Sequence, residues 1–332
     1  MRASRRPFLR SGDHVEVRGA GEILSTIDED GTLDSLPFMP EMLSLLGRRF
    51  VVAGRAEKIC DTISYTGSRR LKDTVMLHDL RCDGSGHGGC EAECRLFWKE
   101  AWLRSVARGE PTGPPPAKPR AAVEALAARL VGLAARTVQV DGRQEPRYRC
   151  QATELLRATT RLGTFDPRPY VRELTCGNVS LGRFVVVTAR AALKEPLRKL
   201  GLVPEIHLKG RSDRPLEDPP RDLQPGDWVQ VKSVGEIADH LDTKGRNRGL
   251  WFDREMMPYC GGTYRVRRRI RRFIDDRTGK MIEPKNSCVT LEGVVCSGDH
   301  SLRRWFCPRA IYPYWRETWL RRIDPPSPDR TT

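Results

Sequence analysis

The sequence predicts an α+β chain: two homologous β-rich modules, each ending in a helix, flank a mainly helical middle region. Three observations carry this expectation. The two ends of the chain repeat each other, their apolar residues alternate as in half-buried strands, and the stretch between them switches to helical spacing. The repeat opens with Gly12-Asp13-x-Val15-x-Val17, which returns as Gly226-Asp227-x-Val229-x-Val231. Its register then holds without a gap for about seventy residues, too long for one unit of a short-repeat array. Glu22 meets Glu236, Asp28 meets Asp242, Phe38 meets Phe252, Glu41 meets Glu255, Val52 meets Val266, Asp61 meets Asp275 and Cys82 meets Cys296. A three-residue insertion follows in the second copy. Cys90 then meets Cys307, Trp98 meets Trp315, Glu100 meets Glu317 and Trp102 meets Trp319.

Taken in order, residues 10–108 form the first module. The run Pro111-Thr-Gly-Pro-Pro-Pro116 closes it as a stiff linker. The helical middle region spans 117–202. Val123, Leu126, Leu130 and Leu133 recur at helical spacing, so 119–136 is expected to be a helix, and a second is expected over 147–160. Residues 183–200 fit either a short buried strand or a helix. The stretch 203–225 is dense in proline and charge and reads as a second linker. The second module covers 224–323, and the last residues, Pro325 to Thr332, read as a disordered tail.

Within the modules, Tyr264, Val266, Ile270 and Ile274 predict a long strand over 264–274, and Val289–Val295 the strand that returns beside it. Trp98/Trp102 and Trp315/Trp319 are each four apart, so each pair is expected to share a helix face and pack on its module. Glu100 and Glu317, lying between them, are solvated or tie the segment to an arginine. The other acids shared by the two copies, Asp13/Asp227, Glu22/Glu236, Asp28/Asp242 and Glu41/Glu255, are read first as turn caps and salt-bridge partners. A short barrel opening with Gly-Asp-x-Val-x-Val resembles SH3-like barrels, and that resemblance implies a small curled β-sheet for each module.

Composition sets the class. The chain has 332 residues and a formal net charge of +15, carried mostly by arginine. Nucleic acid or an acidic protein surface is therefore an admissible partner. No apolar run is long enough to span a bilayer, and the basic start, Met1 to Arg10, is not followed by the apolar core of a signal peptide, so a cytoplasmic location is expected. Ten cysteines in such a chain are read as reduced thiols or metal ligands before a disulfide framework.

The cysteines carry the candidate chemistry. Cys82-x4-His87-x2-Cys90 in the first module and Cys296-x3-His300-x6-Cys307 in the second place a histidine inside each shared pair, and Gly84, Gly86, Gly88 and Gly89 let the first loop fold tightly. Zinc takes four thiolate or imidazole ligands in a tetrahedron. The preferred sets are Cys82, His87, Cys90 and Cys94, and Cys260, Cys296, His300 and Cys307. Cys60 and Cys288 are possible additional ligands in four-cysteine sets, and a single set of Cys82, Cys90, Cys296 and Cys307 shared between the modules stays open. An iron–sulfur cluster is the alternative cofactor. The opposing reading is that these are buried thiols and loop histidines.

Arg265, Arg267, Arg269 and Arg271 alternate along one strand. Residues two apart on a strand repeat every ~6–7 Å, close to the spacing of successive phosphates, so these four form a candidate anion-binding stripe. The alternative is a charged edge strand, or a face paired with acids elsewhere. Cys150 and Cys176, with His207 or His240, are candidates for a nucleophile pair, though no spacing demands it. No phosphate-binding glycine loop, dinucleotide fingerprint or nucleophile elbow is present. The functional expectation is a metal-binding tandem-repeat protein that binds nucleic acid or a partner protein without catalysing a reaction. The alternative is an iron–sulfur or zinc-dependent enzyme or electron carrier.

Overall fold

A computed structural model describes residues 8–108, 120–163, 166–199, 208–211, 222–301 and 304–325. The proline linker at 111–116, most of the segment 203–225, the basic residues before Phe8 and the tail after Pro325 lie outside these. The architecture is mixed α/β with a curled half-barrel sheet. Two compact units divide it. Unit 1 takes the described residues up to Val187, together with Phe273–Ile282 and Arg303–Arg309. Unit 2 takes Thr188–Arg272, Glu283–Leu302 and the described residues from Ala310 onward.

In unit 1, β1 (His14–Val17), β2 (Arg49–Arg55), β3 (Thr74–Arg81), β4 (Arg95–Lys99) and β5 (Leu103–Ser105) form an antiparallel sheet in the order β4-β3-β2-β1-β5. Val15 and Val17 alternate inward and are fully buried, as the period of two requires. A β-bulge between Val52 and Gly54 bends β2 and curls the sheet. Phe38 sits edge-on between Trp98 and Trp102, with ring centroids 6.2 and 5.1 Å away. Such edge-to-face pairs add about 0.5–1.5 kcal/mol each beyond their buried area.

The middle residues of unit 1 begin with α1 (Arg120–Leu133), as the helical spacing predicts. The helix expected over 147–160 is mostly absent. The hairpin β6 (Ala135–Val140) and β7 (Arg143–Tyr148) takes its start, and only Leu155–Ala158 is helical. Asp141-Gly142, both at positive φ, make the two-residue turn that closes this hairpin. α2 (Arg168–Thr175) follows, and the ambiguous stretch resolves as α3 (Leu181–Lys199), of which unit 1 holds the residues up to Val187. No helix among the described residues is long and apolar enough to cross a membrane.

In unit 2, β8 (Trp228–Val231), β9 (Thr263–Arg269), β10 (Cys288–Leu291), β11 (Trp315–Arg316) and β12 (Leu320–Ile323) pair antiparallel in the order β11-β10-β9-β8-β12. This is the strand order of unit 1, element for element. The bulge falls at the aligned place, between Val266 and Arg268. Phe252 stands edge-on to Trp315 and Trp319 at 6.1 and 5.3 Å. The tryptophans pack as expected, but neither sheet ends in a helix. Trp98 and Trp315 lie on strands, and Trp102 and Trp319 close single 3-10 turns at 100–102 and 317–319 that lead straight into the last strand. A strand followed by one tight turn also brings residues four apart onto one core, so spacing alone did not separate it from a helix.

Candidate metal centre

The loop 82–94 leaves β3 and returns at β4. Its ends are joined by Cys82 N donating to Cys94 O at 2.8 Å. Gly84 holds φ +73°, and a Cβ there would lie 2.1 Å from the Cys90 carbonyl oxygen. At Gly88, φ +63°, a Cβ would lie 2.3 Å from the Tyr148 hydroxyl. Neither position can carry a side chain without moving backbone or the hairpin, so these glycines permit the tight fold that the composition of the loop predicts.

Glu41, buried in the 3-10 turn Pro40–Leu45, is the anchor of this loop. Its Oε1 accepts from Gly86 N at 3.1 Å, sits 2.6 Å from His87 Nδ1, and lies 3.6 Å from Cys82 Sγ. Burial raises the Glu41 carboxyl, but the hydrogen bonds from His87 and Gly86 prevail and hold it below the ordinary carboxylate value. His87 Nε2 is 3.0 Å from the Arg149 carbonyl oxygen, which only accepts, so Nε2 carries a proton. A metal would be met by Nδ1 in exchange for its hydrogen bond with Glu41, with the opposite ring N–H held by a backbone carbonyl as is usual for ligating histidines. Glu41 Oε2 is buried and has no hydrogen-bond partner. Among the described residues, Glu41, Cys82 and His87 are the only set of three or more potential ligands with all donor atoms within 4.8 Å of one another. A carboxylate, a thiol and an imidazole nitrogen, with one orphaned oxygen, fit a divalent ion such as zinc.

Of the first set expected from sequence, Cys82 and His87 thus converge with Glu41. Cys90 and Cys94 stand in the same loop, outside that triad. Cys90 N donates to His87 O at 3.3 Å, and Cys90 Sγ accepts from Ile274 N at 3.4 Å. In the sequence Glu41 is legible only as an acid shared by both copies, because nothing in its spacing to Cys82 points at a site.

The second expected set is distributed differently. Cys307 belongs to unit 1, where its Sγ accepts from Cys60 N at 3.2 Å. Arg309 is buried beside them and donates to Cys60 O at 3.1 Å, approaches Cys60 Sγ at 3.9 Å and donates to Thr62 Oγ1 at 3.1 Å. The hydrogen bond with Cys307, opposed by burial and aided by Arg309, lowers the Cys60 thiol to about 6. In unit 2, Cys296 N donates to Ile311 O at 2.8 Å, and Glu255 accepts from His300 N at 2.9 Å and Ser297 Oγ at 2.9 Å. Cys260 Sγ lies 4.0 Å from Met256 O, and burial alone pushes its thiol up to about 11. Cys288 is buried on β10, where it pairs with Arg316 across the strands. No disulfide joins any cysteine among the described residues.

The arginine stripe is interrupted. The bulge at Val266/Arg268 breaks the alternation, so Arg269 turns to Asp222, Ser287 Oγ at 2.8 Å and Glu317 at 3.9 Å. Arg265, Arg267 and Arg271 are exposed. Arg265 Nε donates to Gly226 O at 3.1 Å, and Arg267 lies over the Tyr312 ring at 5.0 Å. The carboxylates between the tryptophans do hold arginines: Glu100 pairs with Arg55, both buried, and Glu317 stands near Arg269. The remaining shared acids are caps. Asp13 and Asp227 accept from Arg10 N at 2.7 Å and Gln224 N at 2.8 Å, and Glu22 and Glu236 accept from Gly19 N at 3.1 Å and Ser233 N at 3.0 Å.

Cys176 and His240, two of the candidates for a nucleophile pair, each have partners of their own. Cys176 is buried, 3.7 Å from Glu173 O, and neighbouring Asn178 brackets the Arg55 backbone. His240 is held in unit 2 by Glu236 O at 2.7 Å and Lys232 Nζ at 3.2 Å. His207 lies outside the described residues. No protein-family model, curated protein or solved structure matches the chain.

Proposed function

We propose that this is a metal-binding protein made of two duplicated β-rich modules, with its centre on the loop around Cys82. The carrying observation is the convergence of Glu41, Cys82 and His87 with a buried, unpartnered Glu41 oxygen. A metal there would fasten the loop to the 3-10 turn and supply folding free energy to a module of modest core. Zinc suits these donors. The three residues would act as ligands, with Arg149 O fixing the imidazole and Gly86 N fixing the carboxylate. The role is binding in the cytoplasm without catalysis, with nucleic acid or an acidic protein surface as the partner. Arg265, Arg267 and Arg271 support that partner class by their exposure. The second reading, an iron–sulfur protein or electron carrier, draws on the other thiols near Cys82.

Elemental analysis of protein purified without added metal tests the centre. About one metal per chain is expected, lost in Cys82→Ser. A metal-free wild type that gains no stability on titration with zinc or iron would overturn the reading. Retention on immobilised single-stranded nucleic acid at low salt, lost when Arg265, Arg267 and Arg271 become alanine, tests the partner.

A further inference from the structure

The thiols beyond the Glu41 triad form a cluster of their own. Cys82 and Cys94 are joined through their backbones at 2.8 Å, which puts both at the neck of the loop. Cys90 sits at the inner side of that loop, its backbone against Gly84. Cys150 arrives from the middle region, next to Arg149, whose carbonyl is clamped 3.0 Å from His87. The four side chains lie within electrostatic reach of one another: Cys82 with Cys94 and Cys150, Cys94 with Cys90, and Cys150 with both Cys94 and Cys90.

We propose that Cys82, Cys90, Cys94 and Cys150 are the four ligands of an iron–sulfur cluster. The inference rests on the reading of a metal centre at this loop and replaces its zinc triad, keeping Cys82 as a ligand and giving Glu41 and His87 a bracing role. Spacing separates the cluster from zinc. A tetrahedron with Zn–S of about 2.3 Å holds its sulfurs roughly 3.8 Å apart. No three of these four sulfurs fall within 4.8 Å of one another, whereas a multi-iron core holds its thiolates further apart. Two surrounding groups fit a sulfur-ligated anionic cluster. Ile274 N donates to Cys90 Sγ at 3.4 Å, the kind of N–H···S bond that tunes such centres. Arg309, buried and without a carboxylate ion pair among the described residues, interacts with Cys94 and supplies positive charge. In this arrangement Glu41 and His87 brace the loop, both imidazole nitrogens being already engaged.

The test is anaerobic reconstitution of the full chain with ferrous and ferric iron and sulfide, and in parallel with zinc alone. Wild type is expected to turn brown, with iron and acid-labile sulfide in equal amounts and visible absorption that bleaches on reduction. Cys82→Ser, Cys90→Ser, Cys94→Ser and Cys150→Ser are each expected to lose most of the bound iron, while Cys176→Ser and Cys288→Ser keep it. Circular dichroism of each apo variant separates lost ligation from lost folding. His87→Asn is expected to retain the colour. A colourless protein binding one zinc, lost in His87→Asn and kept in Cys150→Ser, overturns the inference and leaves the broader reading standing. Binding of neither metal overturns both. An iron cluster that survives intact in Cys150→Ser overturns the ligand assignment alone.

Discussion

The loop at Cys82–Cys94 and its aligned partner at Cys296–Ile311 share a frame but not a content. In both, the first cysteine's N–H meets the carbonyl at the far end of the loop at 2.8 Å, and in both a buried glutamate accepts a backbone N–H from inside, Gly86 in one and His300 in the other. The differences lie in the side chains hung on that frame. Where Cys94 stands in the first loop, Ile311 stands in the second. Where His87 offers its carbonyl to Cys90 N, Arg304 offers its own to Cys307 N. The hydrogen-bonded scaffold tolerates either sequence, because backbone groups make it. The chemistry does not, because it needs the carboxylate, thiol and imidazole that, among the described residues, the first loop alone gathers. Two of the three triad residues are shared, as Glu41/Glu255 and Cys82/Cys296, so His87, where the second loop has Arg304, is the residue that sets the two loops apart.

The heaviest test of the shared frame is its aromatic keystone. Phe38→Ala and Phe252→Ala are each expected to cost about 3–5 kcal/mol in denaturant unfolding, because each empties the space between two buried tryptophans. A large cost at one position and a negligible one at the other would break the equivalence. The next pair should differ. Glu100→Gln removes one of the two buried carboxylates on Arg55, leaving Glu57 at 3.3 Å, and is expected to cost about 1.5–3 kcal/mol. Glu317→Gln should cost about 1 kcal/mol, because Arg269 is partly exposed and also holds Asp222. Equal costs would remove the distinction between the two ion pairs.

The acid side of the stability profile sharpens the contrast between the loops. Glu41 has a lowered folded pKa, so its contribution is present above the ordinary carboxylate range and is lost as pH falls through the folded value. Unfolding followed from pH 7 to pH 3, round numbers spanning the range of ordinary carboxylates, should show a loss that Glu41→Gln reduces, Asp28 and Asp61 supplying part of the remainder. Cys60 gives a smaller effect higher on the scale. Its thiolate, held by Cys307 with the help of Arg309, stabilises the fold above the ordinary thiol value, and the contribution fades as pH falls through about 6. The thiolate absorbance should follow that midpoint and move up in Cys307→Ser.

Much of the frame was legible in the sequence. The gapless register from Gly12/Gly226 to Cys82/Cys296 predicted shared strands, and the Phe38, Trp98 and Trp102 positions reappear in one core. Capping roles for Asp13, Glu22 and their partners followed from ordinary turn chemistry. Other parts were hidden for physical reasons. The hairpin at 135–148 carries Arg, Gln and Glu on exposed strands, so no apolar alternation marks it. The bulge in β9 shifts phase by one residue, and alternation counted through it assigned Arg269 to the wrong face. Cys150 and Arg309 are distant in sequence from the loop they approach. The pairing of Cys307 with Cys60 likewise crosses a separation that no local pattern encodes.

That last pairing has a counterpart. Cys60 N reaches Cys307 Sγ, and Ile274 N, at the position aligned with Cys60, reaches Cys90 Sγ, the aligned partner of Cys307. Because Phe273–Ile282 and Arg303–Arg309 belong to unit 1, a nascent chain emerging from the ribosome cannot complete that unit until nearly all of its residues have been translated. A product stopped after Val187 would leave the tunnel with its cysteine loop uncovered, exposed to capture by stray metals or oxidants before assembly finishes.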